Sequence, residues 1–120
     1  MEVKTVLTLE KLGKGLHVAT TICNQAKDHR VRVVMPTGLN TSTHLADSAF
    51  EVVKRNNRHN GTWTNPCGCE RQQCFAAMED ETNGLLVANR GLYEYEVLAD
   101  EENAIAVTLL RSVAEMGDWG

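Results

Sequence analysis

Two stretches near the C-terminus indicate the fold: Asn89-Arg-Gly-Leu-Tyr-Glu-Tyr-Glu-Val97 and, eight residues later, Ile105-Ala-Val-Thr-Leu-Leu-Arg-Ser-Val113. The first is typical of a turn that leads into a strand, because Asn and Gly favour turns and the residues after them alternate. In the second, residues 104–110 have Thr108 as their one polar side chain, and Ile, Val and Thr favour a strand over a helix. We therefore predict a central strand at 104–113 that is covered on both faces.

The same two-residue period recurs along most of the chain. Residues 3–10, 16–23 and 30–35 alternate, which predicts half-buried strands. Shorter strands are predicted at 43–46, at 50–55 with Phe50 and Val52 directed inward, and at 74–78, 84–88 and 93–98. Residues 56–73 contain Pro66 and predict one long irregular loop. About eight or nine short strands with turns between them favour an all-β antiparallel β-sandwich over residues 1–120.

Composition restricts the class of protein. The 120 residues suffice for one domain, with 42% hydrophobic and 23% charged residues, as in a soluble globular protein. The net charge is -4 and no basic face is concentrated, so we expect no nucleic-acid partner. No apolar run reaches the roughly 20 residues that cross a bilayer, so no membrane partner is expected. Because the N-terminus has no signal-peptide profile, we expect a cytoplasmic protein.

The cysteines raise the possibility of a metal site. Cys67, Cys69 and Cys74 are close in sequence, with His59 nearby and Cys23 far upstream. A structural zinc site usually takes two pairs of ligands, each pair two to four residues apart, and the second pair is missing here. We therefore predict reduced thiols and no metal ligands, with a small zinc-binding domain as the alternative.

Two polar groups are candidates for catalysis. Asp28, His29 and Arg30 combine an acid with a potential general base, but no known motif places a Ser or Cys nucleophile beside them. The simpler interpretation is that Asp28 or His29 caps a turn while Arg30 pairs with Glu94 or Glu96. Those two glutamates lie two residues apart on one strand face, about 6.5–7 Å, a distance that glycosidase carboxyl pairs span. Their side chains run parallel instead of converging, so we predict no catalytic residue.

Aromatic side chains are the remaining candidates for binding. Trp63 in the long loop and Tyr93 and Tyr95 on the late strand have rings that can stack on a sugar or pack on a neighbouring domain. With Arg90 in the preceding turn, they are the predicted sugar-contact or domain-contact residues.

Several segments in order resemble the C-terminal β-domain of the α-mannosidases of glycoside hydrolase family thirty-eight. The similar segments are Asn24–Pro36, Phe50–Arg55, Gly84–Val97 and Ile105–Val113, and Gly117–Gly120 is similar to bacterial members, including those that act on mannosylglycerate. The resemblance covers nearly the whole chain. It departs from the common pattern at Tyr93, where many members have Pro, and in the loop from Cys67 to Cys74.

The resemblance implies a β-sandwich excised from a larger, retaining α-mannosidase. Such enzymes use an Asp nucleophile, an acid/base carboxylate and a divalent metal, usually zinc, that is held by His and Asp. All of these belong to an N-terminal catalytic domain that no segment here matches, so the resemblance implies no catalytic residue, metal or cofactor in this chain. The implied partners are that catalytic domain and mannosides, and the C-terminus reads as a cut within a longer chain.

Two functions from different classes follow. In the first, the chain is a non-catalytic support for an α-mannosidase that contributes to the rim of its active site. This function predicts an apolar patch where the catalytic domain docks, and weak self-association of the isolated domain through exposed edge strands. In the second, the chain is a free-standing carbohydrate-binding or protein-interaction module with a polar exterior and one aromatic-lined groove.

Overall fold

The computed structural model of the chain describes residues 2–9, 11, 13, 15–25, 29–58 and 70–112. The regular secondary structure of these residues consists of β-strands alone: β1 (Glu2–Leu9), β2 (Leu16–Cys23), β3 (His29–Met35), β4 (Thr43–Ser48), β5 (Glu51–Asn56), β6 (Glu70–Arg71), β7 (Phe75–Glu79), β8 (Gly84–Ala88), β9 (Glu94–Leu98) and β10 (Ala104–Ser112). The predicted all-β class is confirmed. Within this part of the chain, no helix has the length and apolarity to cross a membrane.

β1 and β2 form an antiparallel hairpin in a compact unit separate from Arg30–Arg111. Its register pairs Leu9 with Leu16, and the hydroxyl groups of Thr5 and Thr20 lie 3.3 Å apart across the strands. All side chains of β1 are exposed, so the prediction of a half-buried strand is wrong there. The alternation is real, but a ribbon of two strands has no second layer of its own to cover either face.

Residues Arg30–Arg111 form the sandwich, which consists of two four-stranded sheets. The first sheet has the order β3-β10-β9-β6 and the second sheet the order β5-β4-β7-β8. In the first, β9 runs antiparallel to both β10 and β6. In the second, β4 runs antiparallel to both β5 and β7, and β7 antiparallel to β8. β10 lies between β3 and β9, which confirms the predicted central strand.

The core lies between these two sheets and is built from alternate residues of their strands. Ile105 and Val107 on β10 are opposite Val97 and Tyr95 on β9, and all four are buried. The second sheet contributes small and flexible side chains to the same cluster, namely Ala46, Ala76 and Met78. Since burying one large aliphatic side chain stabilises a fold by roughly 1.5–3 kcal/mol, these residues supply much of the driving force.

The outer face of the first sheet is charged. Arg32 on β3 binds Glu96 on β9 at 2.7 Å, and this bridge passes over the intervening strand β10. Ala106 of β10 is directly opposite Glu96 and is fully buried although it faces outward. A small residue at this position leaves room for the two long side chains to meet above it.

Two predictions about local structure are wrong. Phe50 and Val52 do not point inward: they are 106% and 52% exposed, and Val53 packs against the core instead. β5 begins only at Glu51, and a one-residue shift exchanges the two faces of a strand. In addition, Glu70–Arg71 forms the short strand β6 within the predicted loop, of which residues 59–69 lie outside the described part of the chain.

Candidate functional site

An open groove of about 1200 Å³ lies on the sandwich unit. Its wall combines the end of β4 and the following turn, β6 with the residues after it, the loop before β9, and single residues of β5, β9 and β10. The lining residues are Asp47, Ser48, Ala49, Arg55, Glu70, Arg71, Gln72, Gln73, Cys74, Asn89, Arg90, Gly91, Tyr93, Glu94 and Arg111. The groove therefore contains two of the four predicted contact residues, Arg90 and Tyr93.

The loop that carries Arg90 is fixed by its own turn chemistry. The side-chain oxygen of Asn89 accepts a hydrogen bond from the Leu92 backbone N–H at 3.1 Å, and the Asn89 N–H donates to the Cys74 carbonyl at 2.9 Å. Gly91 has a φ of 85°, which glycine adopts without strain and which type II turns require at their third residue. The predicted turn before β9 is thus confirmed, and it leaves Arg90 and Tyr93 exposed.

Arg55 ties the wall of the groove to the interior of the sandwich. Its guanidinium donates to the backbone carbonyl of Arg71 at 2.7 Å and to the hydroxyl of Tyr95 at 3.0 Å, and it lies 3.6 Å from the Glu70 carboxylate. Tyr95 itself is fully buried, and burial raises the pKa of its phenol. The ring of Tyr95 therefore belongs to the core, and the prediction that it meets a sugar or a neighbouring domain does not fit this position.

A buried polar network continues from Tyr95. The Nε2 atom of His44 lies 2.8 Å from the Tyr95 hydroxyl, and Nδ1 lies 2.8 Å from the side-chain oxygen of Asn57. The Asn57 amide nitrogen donates to the Thr41 carbonyl and to Asn103, which leaves its oxygen to accept from Nδ1–H. Nε2 is then the acceptor for the Tyr95 O–H, so the neutral ring satisfies both of its partners.

The two carboxylates with glycosidase-like spacing are held by arginines. Arg111 contacts both oxygens of Glu94, at 2.9 and 3.0 Å, and Thr108 donates to the same carboxylate at 2.6 Å. Arg30 lies 3.8 Å from Glu94, which confirms the predicted pairing of Arg30 with a strand glutamate. With Glu96 bound by Arg32, both carboxylates serve as ion-pair partners within the sheet.

Gln72 is a buried polar residue in the wall of the groove that the sequence does not predict. It is 2% exposed, its backbone N–H donates to the Tyr93 carbonyl at 2.9 Å, and its side-chain amide donates to the Leu92 carbonyl. Its Oε1 atom and the Nδ2 atom of Asn89 are buried and have no hydrogen-bond partner within the described residues. A glutamine after a strand of two residues gives no periodic signal, so only the tertiary structure reveals this role.

The other candidate residues are not brought together. Trp63, His59, Cys67, Cys69 and Asp28 lie outside the described residues, and their roles stay predictions. His29 is the first residue of β3. Cys23 and Cys74 are exposed free thiols. Over the described ranges, no three His, Cys, Asp or Glu side chains form a group that could hold a metal ion.

Comparison with known proteins agrees with this fold. Residues 1–115 match the family described as glycosyl hydrolases family 38 C-terminal domain. A protein of Halalkalibacterium halodurans named "Putative mannosylglycerate hydrolase" is 45% identical over 117 residues. An alpha-mannosidase from Enterococcus faecalis V583 superposes with a TM-score of 0.89 at 49% identity, and a family 38 glycosyl hydrolase structure from Enterococcus faecalis superposes with a TM-score of 0.84 at 47% identity.

These relatives are much longer than the chain. Each match covers 98% of this chain but only 13% of the relative. The similarity therefore extends over almost every residue here and over one small region of each larger protein. This chain belongs to the C-terminal domain family of the glycosyl hydrolases of family 38.

Proposed function

We propose that this chain is the non-catalytic C-terminal β-sandwich region of an α-mannosidase that hydrolyses α-mannosidic bonds with retention. The observation that carries the proposal is the 49% identity to one region of an alpha-mannosidase chain, of which this chain covers 13%. The catalytic domain then lies elsewhere in the same longer polypeptide. A mannoside with a glycerate group is a candidate substrate, because one relative is named for mannosylglycerate hydrolysis.

The proposed role of this region is support for the catalytic domain. Glu94 is held by Arg111 and Thr108, and Glu96 by Arg32, so both carboxylates have structural partners. The described residues also do not fit a zinc site, since no three suitable ligands converge. From the membership in this family, we infer that the nucleophile, the acid/base carboxylate and the zinc ion belong to the catalytic domain.

We further propose that the groove contributes to the rim of the active site. Arg90 and Tyr93 are both exposed in the loop before β9. The guanidinium group can bind the carboxylate of a charged sugar, and the phenol ring can pack on the face of the sugar ring. Within the described residues, Arg90 has no carboxylate partner, in contrast to Arg30, Arg32, Arg55 and Arg111.

A free-standing carbohydrate-binding module is the second candidate, and the groove favours it too. Tyr93 is 58% exposed, as a ring that stacks on a sugar must be. This function needs no other domain.

Hydrolysis of an aryl α-mannoside with added zinc, together with mannoside binding by the isolated chain, separates the two functions. We expect activity from the longer polypeptide and none from the 120-residue chain. In the longer polypeptide, Arg90→Ala and Tyr93→Ala should raise KM, while Arg58→Ala should not, because Arg58 pairs with Asp100 and does not line the groove.

Activity of the 120-residue chain would contradict the proposal and return attention to Glu94, Glu96 and His29. If the longer polypeptide is inactive but the isolated chain binds mannosides, the module is the correct function. An unchanged KM for both groove variants would contradict the proposal that the groove contributes to the active-site rim. It would not affect the proposal that this region supports the catalytic domain.

A further inference from the structure

The two outer faces of the sandwich have opposite chemistry. The outer face of the first sheet carries the ion pairs of Arg30, Arg32, Glu94 and Glu96. The outer face of the second sheet is mostly apolar in two of its three rows of residues. Its pairing places Lys54, Leu45, Ala77 and Leu86 in one row across the four strands. The next row contains Val52 beside Asp47 and Phe75 beside Ala88, and the row on the other side is polar, with Asn56 beside Thr43 and Glu79 beside Gly84.

These apolar side chains are open to water in the isolated chain. Leu45, Val52 and Leu86 are 38%, 52% and 57% exposed. An antiparallel sheet with one solvated face normally alternates apolar residues inward and polar residues outward. An apolar patch of a few hundred Å² is about the largest that a soluble monomer normally exposes, and such patches are often functional.

Phe50 lies in the turn between β4 and β5, two residues before Val52 of this face. It is 106% exposed, and its φ of 70° lies in the left-handed region that a bulky side chain rarely adopts. The fold thus holds a large aromatic ring in water on a strained backbone, which lowers the stability of the isolated chain. Such a combination of backbone strain and an exposed ring is explained if the ring inserts into a partner, because burial of the ring then offsets the cost.

We propose that the outer face of the second sheet, with Phe50 as its anchor, docks on the catalytic part of the same longer polypeptide. This inference rests on the proposed function, and it names the surface through which the support acts. The complementary surface is apolar and has a recess for one aromatic ring. The present chain is 13% of the length of related chains, so ample polypeptide exists in them to cover the face.

The size of the face favours this occupant over a second copy of the chain. Four strands about 4.8 Å apart and two rows about 7 Å apart give a footprint of roughly 300 Å², and the exposed ring of Phe50 adds roughly 200 Å². Stable association of separate proteins buries about 800 Å² on each partner. A face this small is therefore too weak for a dimer, but a covalently tethered domain has an effective concentration near the millimolar range and can use it.

Hydroxyl-radical footprinting of the longer polypeptide and of the 120-residue chain tests the proposal directly. We expect Phe50 and Leu86 to be oxidised readily in the 120-residue chain and to be protected in the longer polypeptide. Val34, which is 44% exposed on the first sheet, is the control and should be oxidised to the same extent in both. Equal oxidation of Phe50 and Leu86 in both proteins would overturn the docking surface.

Substitution of Phe50 adds a test in which the sign of the effect changes. Phe50→Gly and Phe50→Asn both relieve the left-handed backbone and remove the ring, and Asn keeps a side chain as a control for glycine flexibility. We expect Tm to rise in the 120-residue chain and to fall in the longer polypeptide. A rise of Tm in both proteins would show that the ring has no partner.

The same samples separate this inference from the proposed function. Mannosidase activity with unprotected Phe50 would retain the function and refute the surface, whereas protection without mannosidase activity would retain the surface and refute the activity. Protection that appears in the 120-residue chain only at high concentration would identify a second copy as the occupant and refute the tethered domain.

Discussion

Replacing Tyr95 with phenylalanine removes one hydroxyl group from the interior of the sandwich and leaves the ring in place. The hydroxyl donates to Nε2 of His44 and accepts from Arg55, at 2.8 and 3.0 Å. Because His44 is 4% exposed, water cannot replace the lost donor without disturbing the packing. Arg55 keeps its bond to the Arg71 carbonyl, so the main loss is at the histidine.

The expected magnitude follows from the cost of an unsatisfied buried acceptor, which is ~1–3 kcal/mol. We expect Tyr95→Phe to lower the free energy of unfolding by about 2 kcal/mol. Tyr93→Phe is the matched control, since Tyr93 is 58% exposed and its hydroxyl has no partner within the described residues. A change at such a surface position stays within roughly 0.5 kcal/mol.

Urea unfolding of the 120-residue chain, followed by far-UV circular dichroism, measures both variants. With a slope of about 1–3 kcal/mol per molar urea, the Tyr95 variant should shift the midpoint by roughly 1 M at unchanged slope. If Tyr95→Phe and Tyr93→Phe unfold at the same midpoint, the buried network does not stabilise the sandwich as the geometry indicates.

Two further predictions concern charged groups. A double-mutant cycle with alanine should give a coupling of about 1 kcal/mol for Arg32 and Glu96, whose bridge is mostly shielded, and no measurable coupling for Arg58 and Asp100, whose side chains are 68% and 82% exposed. The Asp80 carboxylate accepts hydrogen bonds from three backbone N–H groups, those of Asn83, Thr82 and Asn40 in order of decreasing effect. These bonds lower the pKa of Asp80 to about 2. The stabilisation by Asp80 is therefore complete above the unfolded pKa of roughly 3.9 and is lost as the pH falls through about 2, so the Tm difference between wild type and Asp80→Asn should shrink from pH 5 to pH 2.

The sequence predicts the elements of this fold better than it predicts their faces. The period of two locates the strands, and the apolar run around Ile105 correctly identifies the central strand because both of its faces are buried. The period alone cannot assign the inward face of a strand when apolar residues occupy both the odd-numbered and the even-numbered positions. The prediction that Phe50 and Val52 face the core is wrong for this reason, because β5 starts at Glu51 and directs Val53 inward.

The candidate site was predictable only in part. Tyr93 is predicted from its aromatic ring and Arg90 from the turn before the late strand, and both line the groove. Tyr95 lies two residues before the buried Val97, so both side chains point to the same face of β9, and this spacing already indicates the core. An aromatic ring on a strand also suits a binding surface, and the sequence alone does not decide between the two. Gln72 depends on contacts with the loop before β9 and left no local pattern.

Arg55 connects the stability of the sandwich to the shape of the groove. Its guanidinium contacts the core through Tyr95 and the groove wall through Arg71 and Glu70. Loss of the Tyr95 hydroxyl therefore releases one of the contacts that orient the wall, whereas loss of the Tyr93 hydroxyl changes only the surface of the groove. If the groove forms part of the active-site rim, Tyr95→Phe should alter KM in the longer polypeptide as well as Tm, although its ring never reaches the substrate. A change in Tm with unchanged KM would separate the buried network from the rim.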